Sequence, residues 1–345
     1  MTGDWAVRLR DTLSAAGIPA RTDAPFGALT TYGVGGGCSL LVEVASQTDA
    51  ETVARALAGA DGGTLPVYVL GNGSNTLVAD AGFDGVVVRV VQSRAEEDLP
   101  LRVSVDRVEA DGWMPLPLLA RRSVAAGACG LEWAVGVPGT VGGAVRMNAG
   151  GHGAEVVDSL VSARVLSLRT GACADFLAGD LGLHFRGSAL GDGHLVLSAV
   201  FSVRGPGGHD CAGEIASIVG WRRSHQPGGR NAGSVFVNPA PGEGSSGAII
   251  DAAGLRGATV GGASVSEKHA NFIQAGPDAT AADVVGLMAA VQDAVRDRTG
   301  ITLRSEVRLV GFDDGVVRRF TDPGHGADGV AAARGAIAAR LGERR

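Results

Sequence analysis

Three glycine clusters are the stretches of this sequence whose residue types and spacing point to chemistry. They are Thr31–Gly37 (TYGVGGG), Gly71–Asn75 (GNGSN) and Gly136–Gly153 (GVPGTVGGAVRMNAGGHG). Glycine admits positive φ and lets other groups come close to the backbone, so such runs can turn several N–H groups toward one anion. That chemistry would be retention of a phosphate or pyrophosphate. GNGSN directly follows PVYVL, a strand candidate, which places that nest at a strand end. For each cluster alone a tight turn is the competing reading. None matches G-x-G-x-x-G leading into a helix or the P-loop G-x-x-x-x-G-K-[ST], which argues against a Rossmann domain and a P-loop NTPase.

The chain that must position these loops has 345 residues, enough for two or three domains or lobes. Its 55 glycines are more than twice the usual share of about 7%. Proline, at 13, is not raised with them, and 45% of residues are hydrophobic, so collagen and disorder are both excluded. Lys plus Arg total 30 against 36 Asp plus Glu, a net charge of −6, so no nucleic-acid partner is expected. Cys38, Cys129, Cys173 and Cys211 are far apart and form no CxxC pair. This speaks against a zinc site, and the expectation is free thiols in a reducing compartment. The N-terminus lacks an apolar signal core, and no run reaches the roughly 18 apolar residues of a membrane span. A cytoplasmic protein with no membrane insertion, working as a monomer, is expected.

Periodicity predicts α+β. Helices are expected over 5–16, from Thr48 with a Thr48/Glu51 capping box, and over 116–126, 213–222, 247–253 and 280–299, the last capped by Thr280 with Asp283. Strands are expected over 38–44, 66–70, 85–91, 101–110, 160–168, 194–203, 269–274 and 301–310. Gly205-Pro206-Gly207-Gly208 is the best linker signal. The expected units are 1–208 (subdomains 1–92 and 93–208), 209–312, and a peripheral extension 313–345.

The order of motifs then becomes specific. TYGVGGG, VLGNGSNTLVADAGFDGVVV and LEWAVGVPGTVGGAVRMNAGGHGAEV are followed by RRSHQPGGRNAGSVFVNP, SGAIIDAAGLRGATVGGASVSEKHANFI and ATAADVVGLMAAVQDAVRDRTGITLRSEVRLVG. This resembles the UDP-N-acetylenolpyruvoylglucosamine reductases over about Thr30 to Gly311. The resemblance implies a two-lobed FAD-binding domain of the vanillyl-alcohol-oxidase type followed by an α+β substrate-binding domain. It also implies a reaction: NADPH passes hydride to flavin N5, and a UDP-sugar nucleotide carrying an enolpyruvyl ether takes hydride and a proton to give UDP-N-acetylmuramate for peptidoglycan.

Site residues follow from the same resemblance. Arg186 would clamp the substrate carboxylate, Ser234 would donate the proton, and Glu306 would point into the cleft, held by arginine. Tyr32, Gly71, Asn72, Gly73, Ser74, Asn75, Gly136, Pro138, Gly139, Thr140, Gly142, Gly143 and Asn148 would bind FAD. Arg222, Gln226, Asn238, Lys268 and His269 would contact the nucleotide substrate or NADPH. No metal is expected. Two positions depart from the family pattern: Phe185 stands where Tyr is common, and Val237 where Lys or Arg is often found. They motivate the alternative of a paralogue acting on another substrate; a flavin-free binding protein is the more distant one. Only 48 positions separate Arg186 from Ser234, as in the compact members of the family.

Overall fold

Leu40–Val42 and Val86–Val88 are aliphatic at successive positions, the pattern of strands covered on both faces, and they lie side by side in the first lobe. In this computed structural model, which describes residues 3–60, 64–92, 99–240, 242–321 and 327–343, that lobe runs α1 (Asp4–Ala15), β1 (Ala20–Pro25), β2 (Gly37–Val44), α2 (Gln47–Gly59), β3 (Val67–Leu70), β4 (Thr76–Val78) and β5 (Phe83–Val90). Its sheet has the order β1-β2-β5-β3, with β2 and β3 parallel to β5 and β1 antiparallel to β2. Leu9 and Leu13 of α1 and Val53 and Leu57 of α2 pack with Leu40, Val42, Val86 and Val88. The cap of α2 is Ser46, whose hydroxyl accepts the Asp49 N–H at 3.1 Å while Asp49 accepts from Ala45. The expected Thr48/Glu51 box is displaced because β2 ends at Val44 and the chain turns at once.

The second lobe contains β6 (Leu101–Val103), β7 (Arg107–Asp111), α3 (Leu116–Ala125), α4 (Val141–Met147), the short pair β8 (Gly150–Gly151) and β9 (Ala154–Glu155), then β10 (Leu160–Ser167), β11 (Cys173–Leu177), β12 (His194–Ser202) and α5 (Cys211–His225). The sheet order is β11-β10-β12-β7-β6, antiparallel throughout. The single strand expected over 101–110 is thus a hairpin turning at Ser104–Asp106. Leu116, Leu119, Val141 and Val145 bury against Val165, Val196 and Phe201 of the sheet.

α6 (Ser246–Ala252), β13 (Thr259–Val260), β14 (Ala263–Val265), β15 (Ile273–Ala275), α7 (Ala281–Thr299), β16 (Arg308–Val310) and α8 (Asp314–Phe320) form the third region, and α9 (Ala327–Arg340) follows. α7 carries the expected capping box: Thr280 accepts the Asp283 N–H and Asp283 accepts the Thr280 N–H. Val284, Leu287, Met288, Val291 and Val295 are buried along its inner face. Truncating one, as in Leu287→Ala, should cost about 2–5 kcal/mol.

Five further expectations change. The strand expected over 301–310 is limited to Arg308–Val310, because the preceding backbone groups go to other partners. Val237 N–H donates to Arg304 O, Glu306 N–H to Val235 O, and Ser305 N–H to Phe320 O. The strand expected over 269–274 is Ile273–Ala275, since Phe272 N–H closes a turn on His269 O. Cys129 and Cys211 form a disulfide across 82 positions, leaving Cys38 and Cys173 free; wide spacing in sequence says nothing about proximity once α5 folds back on the second lobe. The last segment is not peripheral. Ile337 and Leu341 are fully buried in the second-lobe core, and Glu343 accepts from Ser167 at 2.6 Å. α5, which lies beyond the expected division at 208/209, buries Ile218 in the second-lobe core.

Candidate active site

The second and third glycine clusters lie side by side along a cavity of about 470 Å³, within the range of small-molecule sites. Gly71–Asn75 forms the link from β3 to β4, and Gly136–Thr140 leads into α4. The approach is close: Ser74 Oγ donates to Pro138 O at 3.3 Å, and a Cβ at Gly71 would stand 3.1 Å from Thr140 Oγ1. Gly73 has φ +64°, and a Cβ there would lie 2.7 Å from the Thr30 Cα, so no L side chain fits without moving backbone. Gly139 has φ +121° and faces Ser74 Oγ. Among the described residues, the N–H groups of Asn72, Gly73 and Ser74 donate to no protein acceptor, and all three residues line the cavity. A second cavity of about 380 Å³, bounded by Arg89 and Trp113, shares Gly71, Asn72 and Thr140 with the first. The cleft is therefore elongated around the glycine loops.

Charged side chains make the other wall. Arg186 sits in a tight turn in which His184 and Gly187 exchange two backbone hydrogen bonds of 3.0 Å. Its φ is +59°, a conformation that costs a non-glycine residue on the order of 1–3 kcal/mol and persists where surroundings hold it. What holds it is ionic: Nε lies 2.8 Å from Glu306 Oε1 and Nη1 lies 2.8 Å from Glu155 Oε1. Burial pushes the Glu306 carboxyl above its ordinary pKa, Arg186 pulls it back in part, and Glu155 adds to the rise. Glu306 is fixed by backbone on both sides, donating its N–H to Val235 O and accepting from the Asn75 side chain at 3.0 Å. Asn75 also accepts the Arg308 N–H, and β16 then runs parallel to β4 from Arg308 opposite Thr76. The loop carrying Glu306 is thereby tied to the second glycine cluster.

Ser234 lines the same cavity one residue before the Val235 carbonyl that receives Glu306. It follows Gly233, which has φ +77°, and its hydroxyl makes no hydrogen bond to the protein among the described residues. Arg222 and Gln226, at the end of α5, also line the cavity and are bonded to each other at 2.8 Å. Burial lowers the Arg222 guanidinium from its ordinary value.

Fifteen of the expected residues line the cleft: Gly71 to Asn75, Gly136, Pro138, Gly139, Thr140 and Gly143, then Arg222 and Gln226, and the trio Arg186, Ser234 and Glu306. The remaining expected residues lie elsewhere. Tyr32 is completely buried among the third-region core with Phe236 and Val235, its hydroxyl without a partner. Gly142 packs α4 against the sheet, its N–H on Gly112 O. Asn148 ends α4 with φ +41° and spends its side chain on Glu155, His184 O and Val157 N–H. Asn238 accepts the Ser246 N–H at the start of α6, and exposed Lys268 donates to Arg223 O. His269 accepts the Asn271 N–H and packs on Phe272, which does line the cavity.

Sequence reasoning missed Arg146 and Arg308, which line the cavity and converge on Asp192, Arg308 at 3.1 Å. Arg146 lay inside the third glycine motif and Arg308 on the alternating stretch with Glu306, so both were visible but unsingled. With Arg186 and Arg222 they give the cleft four guanidinium groups, a set suited to carboxylate and phosphate.

Comparison with known proteins agrees with this layout. The family model described as UDP-N-acetylenolpyruvoylglucosamine reductase, C-terminal domain, matches residues 224–310, and an FAD binding domain model matches residues 42–176. The UDP-N-acetylenolpyruvoylglucosamine reductase of Gloeobacter violaceus is 42% identical over 288 residues, 82% of this chain and 93% of the relative. That of Synechococcus sp. (strain WH7803) is 39% identical, covering 84% and 92%. The crystal structure of the corresponding reductase from Thermus caldophilus superposes with a TM-score of 0.68 at 30% identity, covering 85% of this chain and 98% of that one. Glycine-walled cleft, arginine-bearing wall and similarity over more than four-fifths of the chain lead to one conclusion: this chain belongs to the UDP-N-acetylenolpyruvoylglucosamine reductase family.

Proposed function

We propose that the protein reduces the enolpyruvyl ether of UDP-N-acetylglucosamine to UDP-N-acetylmuramate, using resident FAD and NADPH, in the cytoplasm and as a monomer whose single chain supplies both walls of the cleft. The observation that carries this reading is the Arg186–Glu306 contact at 2.8 Å in a cavity also lined by Ser234 and the two glycine loops.

The residues present fit FAD. Gly71, Gly73 and Gly139 let the loops pack more closely on Thr140, Thr30 and Ser74 than a Cβ would allow, and the unpartnered N–H groups of Asn72, Gly73 and Ser74 are the donor type a pyrophosphate needs. Gly71–Asn75, Gly136, Pro138, Gly139, Thr140 and Gly143 would hold it. When bound, FAD relays a hydride equivalent from NADPH to the substrate's vinyl carbon.

Adding hydride to that carbon builds negative charge beside the substrate carboxylate. Arg186 has five N–H donors and spends three on Glu306, Glu155 and Gly150 O, leaving two for the carboxylate. Glu306, its pKa raised by burial, orients Arg186 and can carry a proton toward the same carboxylate. Ser234 Oγ gives its proton to the adjacent carbon. A hydroxyl is a weak acid, but an enolate-like carbon is a strong base, so the transfer is matched. The alkoxide left behind takes a proton from solvent.

Phe185 and Val237 do not argue for another substrate. The Arg186 guanidinium lies 4.6 Å from the Phe185 ring centroid, so the ring supports the arginine without a hydroxyl. Val237 is buried, joined through its N–H to Arg304 O, and not among the residues lining the cavity. In an anaerobic test, NADPH should bleach the bound flavin, and enolpyruvyl-UDP-N-acetylglucosamine should restore its colour. Bleaching without recovery would point to a different substrate.

A further inference from the structure

Away from the cleft, five metal-ligating side chains gather where α5 begins. The donor atoms of Cys129, Glu132 and Cys211 lie within 4.8 Å of one another, and so do those of Glu132, His209 and Glu214. Glu132 belongs to both groups. Its side chain is buried at 3% exposure, and both its oxygens are reached by one donor, the Gly130 N–H, at 3.0 and 2.8 Å. Among the described residues no ion pair reaches it. A buried carboxylate without a counter-charge is costly, and a cation between it and the two sulfurs would remove that cost. His209 is half exposed with Nε2 2.6 Å from Glu214 and its ring within 4.8 Å of a Glu132 oxygen; to reach the sulfurs it would exchange the Glu214 contact for the ion.

We propose that reduction of the Cys129–Cys211 disulfide converts this cluster into a binding site for a zinc-type divalent ion, with Cys129, Cys211, Glu132 and His209 as ligands. Two thiolates, a carboxylate and an imidazole form the four-coordinate S/N/O set that Zn²⁺ favours, and a soft pair of sulfurs disfavours Mg²⁺ and Ca²⁺. The chemistry balances. A dithiol reductant delivers two electrons and two protons to the S–S bond and ends as its own disulfide. The ion then displaces both thiol protons to solvent, and two S–metal bonds replace the S–S bond. Disulfide and metal are therefore alternative locks on the same joint, fastening the start of α5 to the 129–132 segment. That segment continues into Gly136, and the far end of α5 carries Arg222 and Gln226, so both locks hold cleft-lining elements in place.

The test uses the full chain, reduced with a dithiol, desalted without oxygen and titrated with Co²⁺. We expect one Co²⁺ per chain with thiolate-to-cobalt charge-transfer absorption, displaced by one equivalent of Zn²⁺. The oxidised chain, which needs no mutation and keeps its fold, should give no such band. Cys129→Ser and Cys211→Ser should each abolish it, and His209→Gln, at an exposed position, should weaken binding tenfold or more while keeping the band. A reduced chain that gives no thiolate band, or a band that survives both cysteine variants, would overturn the site. Unchanged affinity in His209→Gln would overturn the fourth ligand.

Discussion

The two walls of the cleft are built on different principles. The glycine wall presents backbone: Gly71–Asn75 and Gly136–Thr140 approach so closely that a Cβ at Gly71 would stand 3.1 Å from Thr140 Oγ1. The opposite wall presents long charged side chains drawn from three distant parts of the chain, with Arg186 locked between Glu155 and Glu306 at 2.8 Å each. The difference teaches how each can fail. A backbone wall is broken by any added side chain, whereas a side-chain wall can lose one functional group and keep its shape.

The largest effect should come from the glycine wall. Gly73→Val puts a β-branched residue at φ +64° with its Cβ 2.7 Å from Thr30 Cα, and the purified protein is expected to retain no flavin, read by its visible absorption. Full flavin content in this variant would return the loop to an ordinary turn. Glu306→Gln addresses the charged wall and should leave flavin content unchanged. Burial raises the Glu306 pKa above its unfolded value of about 4.3. Between those two values the folded protein keeps a proton that the unfolded chain has released, so stability falls as pH rises through that window. Thermal midpoints measured against pH should show this decline in the parent and a flatter profile in Glu306→Gln; identical profiles would mean that Glu306 does not titrate as described.

Smaller effects sharpen the boundary between the walls and the core. Tyr32→Phe removes a buried hydroxyl that has no partner, and it should raise stability by up to about 1–3 kcal/mol with flavin retained. Loss of flavin would instead put Tyr32 on the cofactor. Phe185→Leu removes the ring beneath the Arg186 guanidinium, worth about 0.5–1 kcal/mol at an exposed site. A rise of a few-fold in KM with kcat little changed is expected, and no change in either would make Phe185 a bystander.

The two walls also differed in how far the sequence exposed them. The glycine loops were visible as composition and motif, because a backbone wall needs contiguous small residues. Long periodic elements such as α7 were visible for the same reason of contiguity, down to Thr280 and Asp283. Arg186, Ser234 and Glu306 are separated by most of the second half of the chain, and each alone reads as an ordinary loop or surface residue. Only resemblance to a family singled them out. Arg146 and Arg308 escaped because their shared partner Asp192 lies on yet another loop, and no spacing rule links the three. The Cys129–Cys211 disulfide and the burial of Ile337 and Leu341 depend on where α5 and α9 dock, which local pattern does not encode. Asn148, Asn238 and Lys268 lie in family-like motifs yet spend their side chains on caps and carbonyls; a motif preserves scaffold residues along with working ones.

The central claim is that Ser234 supplies the proton in the second half of the reaction and has no part in the first. Stopped-flow absorbance of Ser234→Ala, following NADPH-driven bleaching and then recovery on adding enolpyruvyl-UDP-N-acetylglucosamine, tests it directly. Bleaching at the parent rate with recovery slowed about 10²- to 10⁴-fold is the predicted result; recovery at the parent rate, or equal slowing of both phases, would contradict it.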